Sequence, residues 1–468
     1  MKAKKVIFLT LVLTLLLSTI SVDAASLSAT AANQPWTVQL LKGDEDGVRN
    51  LATAFVGKMQ TTPMLSYSRV GFHRIYEAFP APPDVTGNCG PNNTWYCTSY
   101  YDSELVPGTV SNMATGLYGP DSFGVKWVFQ AGAYLRGATV EFMNDMSYVT
   151  EDWENLIQLS KFGGVLVGTP SLQMVGGHYR LAAIIRGGGD FPVYSLVYMY
   201  YIGNVSNNTC KVSGFAYQCD VIATSVGYNS MGSPSLQVAP DGTVGISYYY
   251  VGVVKYAYPH TNTVSWPSNC GPGGNTWRCI SIYAGTPTGT VGQVVKFAFG
   301  LTGSDRGIVF TYDDTLIEVT LKHAEYVGSG GNCGSDLNRY GATALRWKCT
   351  DVAILGDLAS WYTPSYSIAI DPQGYSVIAY NDDPEDLAPV FLYVAYPNAR
   401  VGIPDPGWIA QKIDGVWVTE VATGAQAALS LNSAGLGFVG YLQEEDYELP
   451  DLKIAWQPLQ VFLPLIIR

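Results

Sequence analysis

The sequence predicts an all-β chain: a seven-bladed β-propeller of four-stranded antiparallel blades. Three observations predict it. A two-strand motif recurs along the whole chain, a distinct third-strand motif follows it, and an N-terminal segment matches the strand that the last copy lacks.

The two-strand motif is clearest in four segments that align without a gap. They are SLQMVGGHYRLAAI (Ser171–Ile184), SLQVAPDGTVGISY (Ser235–Tyr248), SIAIDPQGYSVIAY (Ser367–Tyr380) and ALSLNSAGLGFVGY (Ala428–Tyr441). Each places an alternating run, a turn containing Gly and a second run, which is the pattern of a β-hairpin. Looser copies span Leu51–Tyr67, Met113–Phe129 and Lys296–Tyr312. The seven copies begin near residues 51, 113, 171, 235, 296, 367 and 428, so no second large domain has room. Six and eight blades are the competing counts.

A third strand follows each hairpin, as in VVKYAYP (Val253–Pro259), FLYVAYP (Phe391–Pro397) and LKIAWQP (Leu452–Pro458). A fourth often opens on an aromatic residue, as at Trp95, Tyr217, Trp277, Trp347 and Trp408. Four antiparallel strands repeated in this way are the sequence form of a propeller. The last copy stops at its third strand. Trp36-Thr37-Val38-Gln39 resembles Trp408-Ile409-Ala410-Gln411, so the strand at 35–41 is expected to complete blade seven and remove a sheet edge.

The chain opens on Lys2, Lys4 and Lys5, an apolar run from Val6 to Ile20, and small residues around Ala24. That order is that of a secretory signal peptide over 1–24, with the propeller over 25–458. Residues 459–468 form an apolar tail that resembles the short hydrophobic tails of some bacterial secreted proteins, and it is too short to span a membrane. The formal charge of −12 becomes −14 when three lysines and Asp23 leave with the leader. An acidic surface repels nucleic acid and anionic lipid. An extracellular or cell-surface location follows, with an extracellular protein or a glycan as the expected partner, and no transmembrane span. The sequence does not give the oligomeric state.

The eight cysteines form four close pairs: Cys89/Cys97, Cys210/Cys219, Cys270/Cys279 and Cys333/Cys349. Export, even number and proximity read as four local disulfides between third and fourth strands. Zinc favours shorter spacings and often histidine.

Carboxylates collect at the other end of the blades, in loops joining strands two and three and in links between blades. They are Asp44 and Asp46 (with Glu45), Asp313 and Asp314, Asp382, Asp383, Glu385 and Asp386, and Glu444, Glu445 and Asp446 (with Glu448). This acidic rim is the expected binding face. It would attract a basic partner or Ca²⁺, although the spacing is not that of an EF-hand and no other cofactor motif is present.

The S-L-x-hydrophobic…G…Y pattern of the hairpins resembles the blades of sialidase-like, BNR-type propellers. That resemblance implies a carbohydrate-acting hydrolase or lyase as the alternative function. The family's S-x-D-x-G-x-x-W box is not intact; Ser367–Gly374 comes nearest, at the wrong spacing. Arg69, Arg74 and Arg186 are the arginines placed to hold a carboxylate in such a site. No G-x-S-x-G or H-E-x-x-H motif occurs, and His73, His178, His260 and His323 are scattered. The residues favour a non-catalytic extracellular binding protein, with the enzyme and a structural cell-surface component as alternatives.

Overall fold

A computed structural model describes residues 35–42, 48–56, 62–69, 72, 74–81, 85–101, 114–117, 122–131, 133–143, 148–203, 209–210, 217–232, 234–260, 267–274, 276–286, 289–301, 303–313, 318–337, 343–355, 365–382, 390–404, 406–415, 421–445 and 451–457. Every regular element among them is a β-strand or a short 3-10 turn. The signal peptide expected over 1–24 and the apolar tail expected over 459–468 lie outside these residues.

Strand β1 (Thr37–Lys42) comes first, and the remaining strands run in antiparallel units. Unit 1 is β2 (Val48–Val56), β3 (Thr62–Arg69), β4 (Arg74–Pro80) and β5 (Trp95–Tyr101). Unit 2 is β6 (Ala114–Leu117), β7 (Ser122–Ala131), β8 (Tyr134–Met143) and β9 (Tyr148–Gln158). Unit 3 is β10 (Val165–Val175), β11 (His178–Arg186), β12 (Val193–Tyr201) and β13 (Tyr217–Val226). Unit 4 is β14 (Ser235–Val238), β15 (Val244–Tyr250), β16 (Val253–Pro259) and β17 (Trp277–Ala284). Unit 5 is β18 (Thr290–Phe299), β19 (Arg306–Asp313), β20 (Val319–Tyr326), β21 (Cys333–Leu337) and β22 (Thr343–Leu355). Unit 6 is β23 (Tyr366–Ile370), β24 (Ser376–Asp382), β25 (Phe391–Pro397) and β26 (Trp408–Asp414). Unit 7 is β27 (Val421–Leu431), β28 (Gly437–Glu445) and β29 (Asp451–Trp456).

Unit 7 is completed from the other end of the chain. β1 pairs antiparallel with β29, Thr37 opposite Trp456 and Gln39 opposite Ile454. The first strands touch in the order β2, β6, β10, β14, β18, β23, β27, and β27 returns to β2. A closed circuit of radially stacked sheets is a β-propeller. The expectation of separate four-stranded sheets needs one correction. Five sheets have four strands, but units 4 and 5 merge into one nine-stranded sheet, β14-β15-β16-β17-β21-β22-β20-β19-β18. The cause is β21. The Cys333–Cys349 separation is 16 residues, against 8 or 9 in the other cystines, so this loop is long enough to fold back on β22. Its free edge then meets β17 through Ser335 and Ser281.

Strand alternation distributes side chains to both neighbours. On β11, Leu181, Ala183 and Ile185 pack with Leu135 and Leu156 of unit 2, whereas Ala182 and Ile184 pack with Leu236 and Ile246 of unit 4. The recurring Ser of the sequence motif has a physical cause at the same seams. Ser171, Ser235 and Ser367 Oγ accept the N–H of Leu236, Phe297 and Leu429 at 2.9, 3.0 and 3.2 Å. Each hydroxyl therefore ties one inner strand to the inner strand of the following unit.

The cystine loops tie the outer strands. In three of them an Asn before the first Cys bonds the second Cys in both directions. Asn88, Asn269 and Asn332 accept the N–H of Cys97, Cys279 and Cys349 at 2.6, 2.7 and 2.7 Å and donate to the same residues' carbonyls. Thr209 Oγ1 takes that place for Cys219. The following Gly90 has φ 72° and lies under Trp95; a Cβ there would sit 2.8 Å from the indole. Each loop also reaches the preceding unit. Gly90 N–H bonds Leu41 O of β1, Gly271 N–H bonds Ile222 O of β13, and Cys210 O accepts the N–H of Gln158 on β9. β21 does the same for unit 5 by pairing with β17. The four disulfides are thus clasps between units as well as local staples.

Candidate functional site

Two regions merit description, and they lie at opposite ends of the strands. The first is the acidic rim. Asp313 ends β19, Asp382 ends β24, and Glu444 and Glu445 close β28, all at the second-to-third-strand end of units 5, 6 and 7. Asp313 is half-buried. Asp382 is only 9% exposed, and its charge adds to burial in pushing the Tyr380 and Tyr393 hydroxyls above the usual tyrosine range. It therefore faces inward, and its carboxylate is not a solvated rim group. The side chains of Glu444 and Glu445 lie outside the described residues, as do Asp44, Asp46, Asp314, Asp383, Glu385, Asp386 and Asp446. Among the described residues no group of three or more His, Cys, Asp or Glu side chains is placed to hold a metal ion.

The three arginines lie at the second-to-third-strand end of their units. Arg69 and Arg74 belong to unit 1 and Arg186 to unit 3. Arg69 lies over the ring of Phe72 at 4.6 Å, and Arg74 donates to Ser99 Oγ at 2.9 Å.

The second region is a cleft of about 310 Å³ between units 5 and 6, at the cystine-loop end. The unit 5 wall is a two-by-two block set by register: His323 opposite Thr350, and Glu325 opposite Lys348, on β20 and β22. Alternate residues of each strand share one face, so all four side chains point to unit 6. The unit 6 wall is Tyr375, Ser376, Trp408 and the loop between β25 and β26, which brings Pro397, Pro404 and Pro406. At the base, Ser376 Oγ meets His323 Nε2 at 2.9 Å, and Trp408 Nε1 donates to Thr350 Oγ1 at 3.2 Å. The Trp408 ring stands edge-on to His323 at 5.0 Å.

The Ser376–His323 contact invites comparison with a nucleophile and its base. Equivalent positions at other seams carry other pairs: Thr139 with Tyr179 at 2.9 Å, and Arg306 with Tyr256 at 3.2 Å. Each joins a third strand to the start of the next unit's second strand, so the pair is one of a set of seam bonds. Burial also pushes the His323 imidazole down to about 3, far below the value suited to a general base near neutrality.

That depression has a measurable consequence. In the unfolded chain the imidazole takes a proton below about pH 6.5, while the native one stays neutral to about 3. Stability therefore falls as pH falls between these values, by about 2 kcal/mol at pH 5 for this one group. Unfolding free energies of the parent and His323→Gln, measured at pH 7 and pH 5, should differ in their pH dependence by that amount. Equal dependence would refute a neutral buried His323.

No family model matches the sequence, and no curated protein matches it. Solved structures with related strand arrangement include AofleA from Arthrobotrys oligospora, at 11% identity and a TM-score of 0.42, covering 82% of this chain and 92% of that one. A fucose-recognising lectin of Aleuria aurantia with a six-bladed propeller gives 11% and 0.38, covering 81% and 97%. NanB sialidase from Streptococcus pneumoniae gives 11% and 0.36, covering 90% and 70%. Likeness at this level carries no weight for the function of this chain.

Proposed function

We propose that residues 25–458 form an extracellular seven-bladed β-propeller that binds a partner without transforming it, through its acidic loop end. Units 4 and 5 count as two blades joined by β21, and the leader 1–24 and tail 459–468 flank the domain. The observation that carries this reading is the ending of second strands on Asp313 in unit 5 and on the Glu444–Glu445 pair in unit 7, at one end of the strands. Carboxylates gathered at one end of the blades sum to a field that draws cations. The four disulfides suit an oxidising location. Among the described residues no helix is long and apolar enough to cross a membrane.

The test is thermal unfolding of the oxidised chain with Ca²⁺ or octalysine at low ionic strength. A hundredfold excess over Kd should raise Tm by about 3 °C. The triple variant Asp313→Asn, Glu444→Gln, Glu445→Gln should lose the shift. No shift with either probe would sink the acidic-face reading.

A further inference from the structure

The cleft between units 5 and 6 has no part in the reading above. We propose that it binds one neutral pyranose ring, presented by a glycan or as the free sugar.

The cleft exists because this seam is closed differently. At four other seams a cystine loop bonds the outer strand of the preceding unit. The β25–β26 loop of unit 6 carries no cysteine and leans the other way. Arg400, on the 3-10 turn Asn398–Val401, donates to Asp371 Oδ2 of its own unit at 2.9 Å and to Gly435 O of unit 7 at 3.2 Å. Among the described residues no backbone bond joins this loop to unit 5. The space left over unit 5 is a consequence of that anchoring.

Its size and walls select the ligand. At about 310 Å³ it falls at the lower limit for small-molecule sites, room for one ring and not a chain of them. Trp408 and the prolines offer apolar surface against which the C–H face of a sugar ring can lie. Across from them, Glu325 and Lys348 stand exposed at the mouth, one acceptor and one donor on the same strand pair. The base polar groups, Ser376, His323, Thr350 and Trp408 Nε1, are already bonded to one another and leave the mouth pair to recognise the ligand. A purely apolar ring would strip water from Glu325 and Lys348 without replacement. An anionic sugar meets Glu325, and a cationic ligand meets Lys348. Vicinal hydroxyls act as donors and acceptors together and satisfy both. Desolvation pushes the Glu325 carboxyl up, with Lys348 opposing and Asp305 adding to the shift.

The experiment is saturation-transfer NMR on the full oxidised chain. The probes are the methyl pyranosides of glucose, galactose, mannose and fucose at about 10 mM, with sorbitol as the open-chain control. At least one pyranoside should bind, sorbitol should not, and Glu325→Gln/Lys348→Gln should weaken binding about tenfold or more. Both side chains are exposed, and an unchanged Tm will show the fold intact. Absence of transfer to all four pyranosides overturns the proposal. So does binding that survives the double variant, including binding lost only in the Asp313→Asn, Glu444→Gln, Glu445→Gln chain. That rim variant leaves the cleft untouched, so the two readings fail separately.

Discussion

Reducing all four disulfides is expected to remove about 10 kcal/mol of stability, enough to unfold most or all of the chain at room temperature. Sequence separations of 8, 9, 9 and 16 give about 2.5–3 kcal/mol for each loop in the chain-entropy account. The clasps add a second loss. Each cystine loop holds a bond to the preceding unit, and a freed loop no longer presents it. Thermal unfolding with and without a phosphine reductant checks the magnitude. Amide hydrogen exchange checks the place: protection at Gly90 and Gly271, whose N–H groups bond Leu41 and Ile222, should fall when Cys89/Cys97 or Cys270/Cys279 is replaced pairwise by Ala. Leu236, whose N–H is held by Ser171 without a cystine, should keep its protection. A reduced chain melting within about 2 °C of the oxidised one would refute the clasps as stabilising elements.

How much of this was legible before the structure depends on whether the signal is local. The hairpins were, because alternation and a Gly turn are contained in fourteen consecutive residues such as Ser367–Tyr380, now β23 and β24. The closing strand was, because Trp36-Thr37-Val38-Gln39 carries the same pattern as the start of β26. The leading Ser of the motif was visible as a repeat, but its bond to the next unit was not, since that partner lies about 62–65 residues away. β21 was missed because Cys-Gly-Ser-Asp-Leu has little β propensity and is a strand only by virtue of edges on both sides. Asp382 looked like one more surface acid, yet its position at the end of a wholly buried strand turns it inward. The cleft could not be read at all. Its walls come from residues 323 to 408 and meet only when units 5 and 6 stack.

Arg400→Met should cost about 3–5 kcal/mol, the largest loss expected from a single substitution here. The guanidinium and Asp371 carboxylate are 2% and 0% exposed, so neither charge is compensated by water once the other is gone. Asp371 does a second job: its Oδ1 accepts the N–H groups of Gln373 at 3.0 Å and Tyr375 at 2.9 Å, which holds the β23–β24 turn. Unit 7 shows that this job needs no charge. At the matching turn Asn432 Oδ1 accepts the N–H groups of Ala434 and Leu436, both at 2.9 Å. Asp371→Asn should therefore keep the turn while stranding Arg400, and Arg400→Met with Asp371→Asn should recover most of the loss because no uncompensated charge remains. Urea unfolding of the four chains gives the coupling directly, and about 3 kcal/mol is expected. Additive losses would mean that the pair is held in place by the loop and does not hold it. The recovered double variant also separates stability from the cleft. Without Arg400 the β25–β26 loop loses its ties to Asp371 and Gly435, and a folded chain with weakened pyranoside binding would trace the open seam to that one side chain.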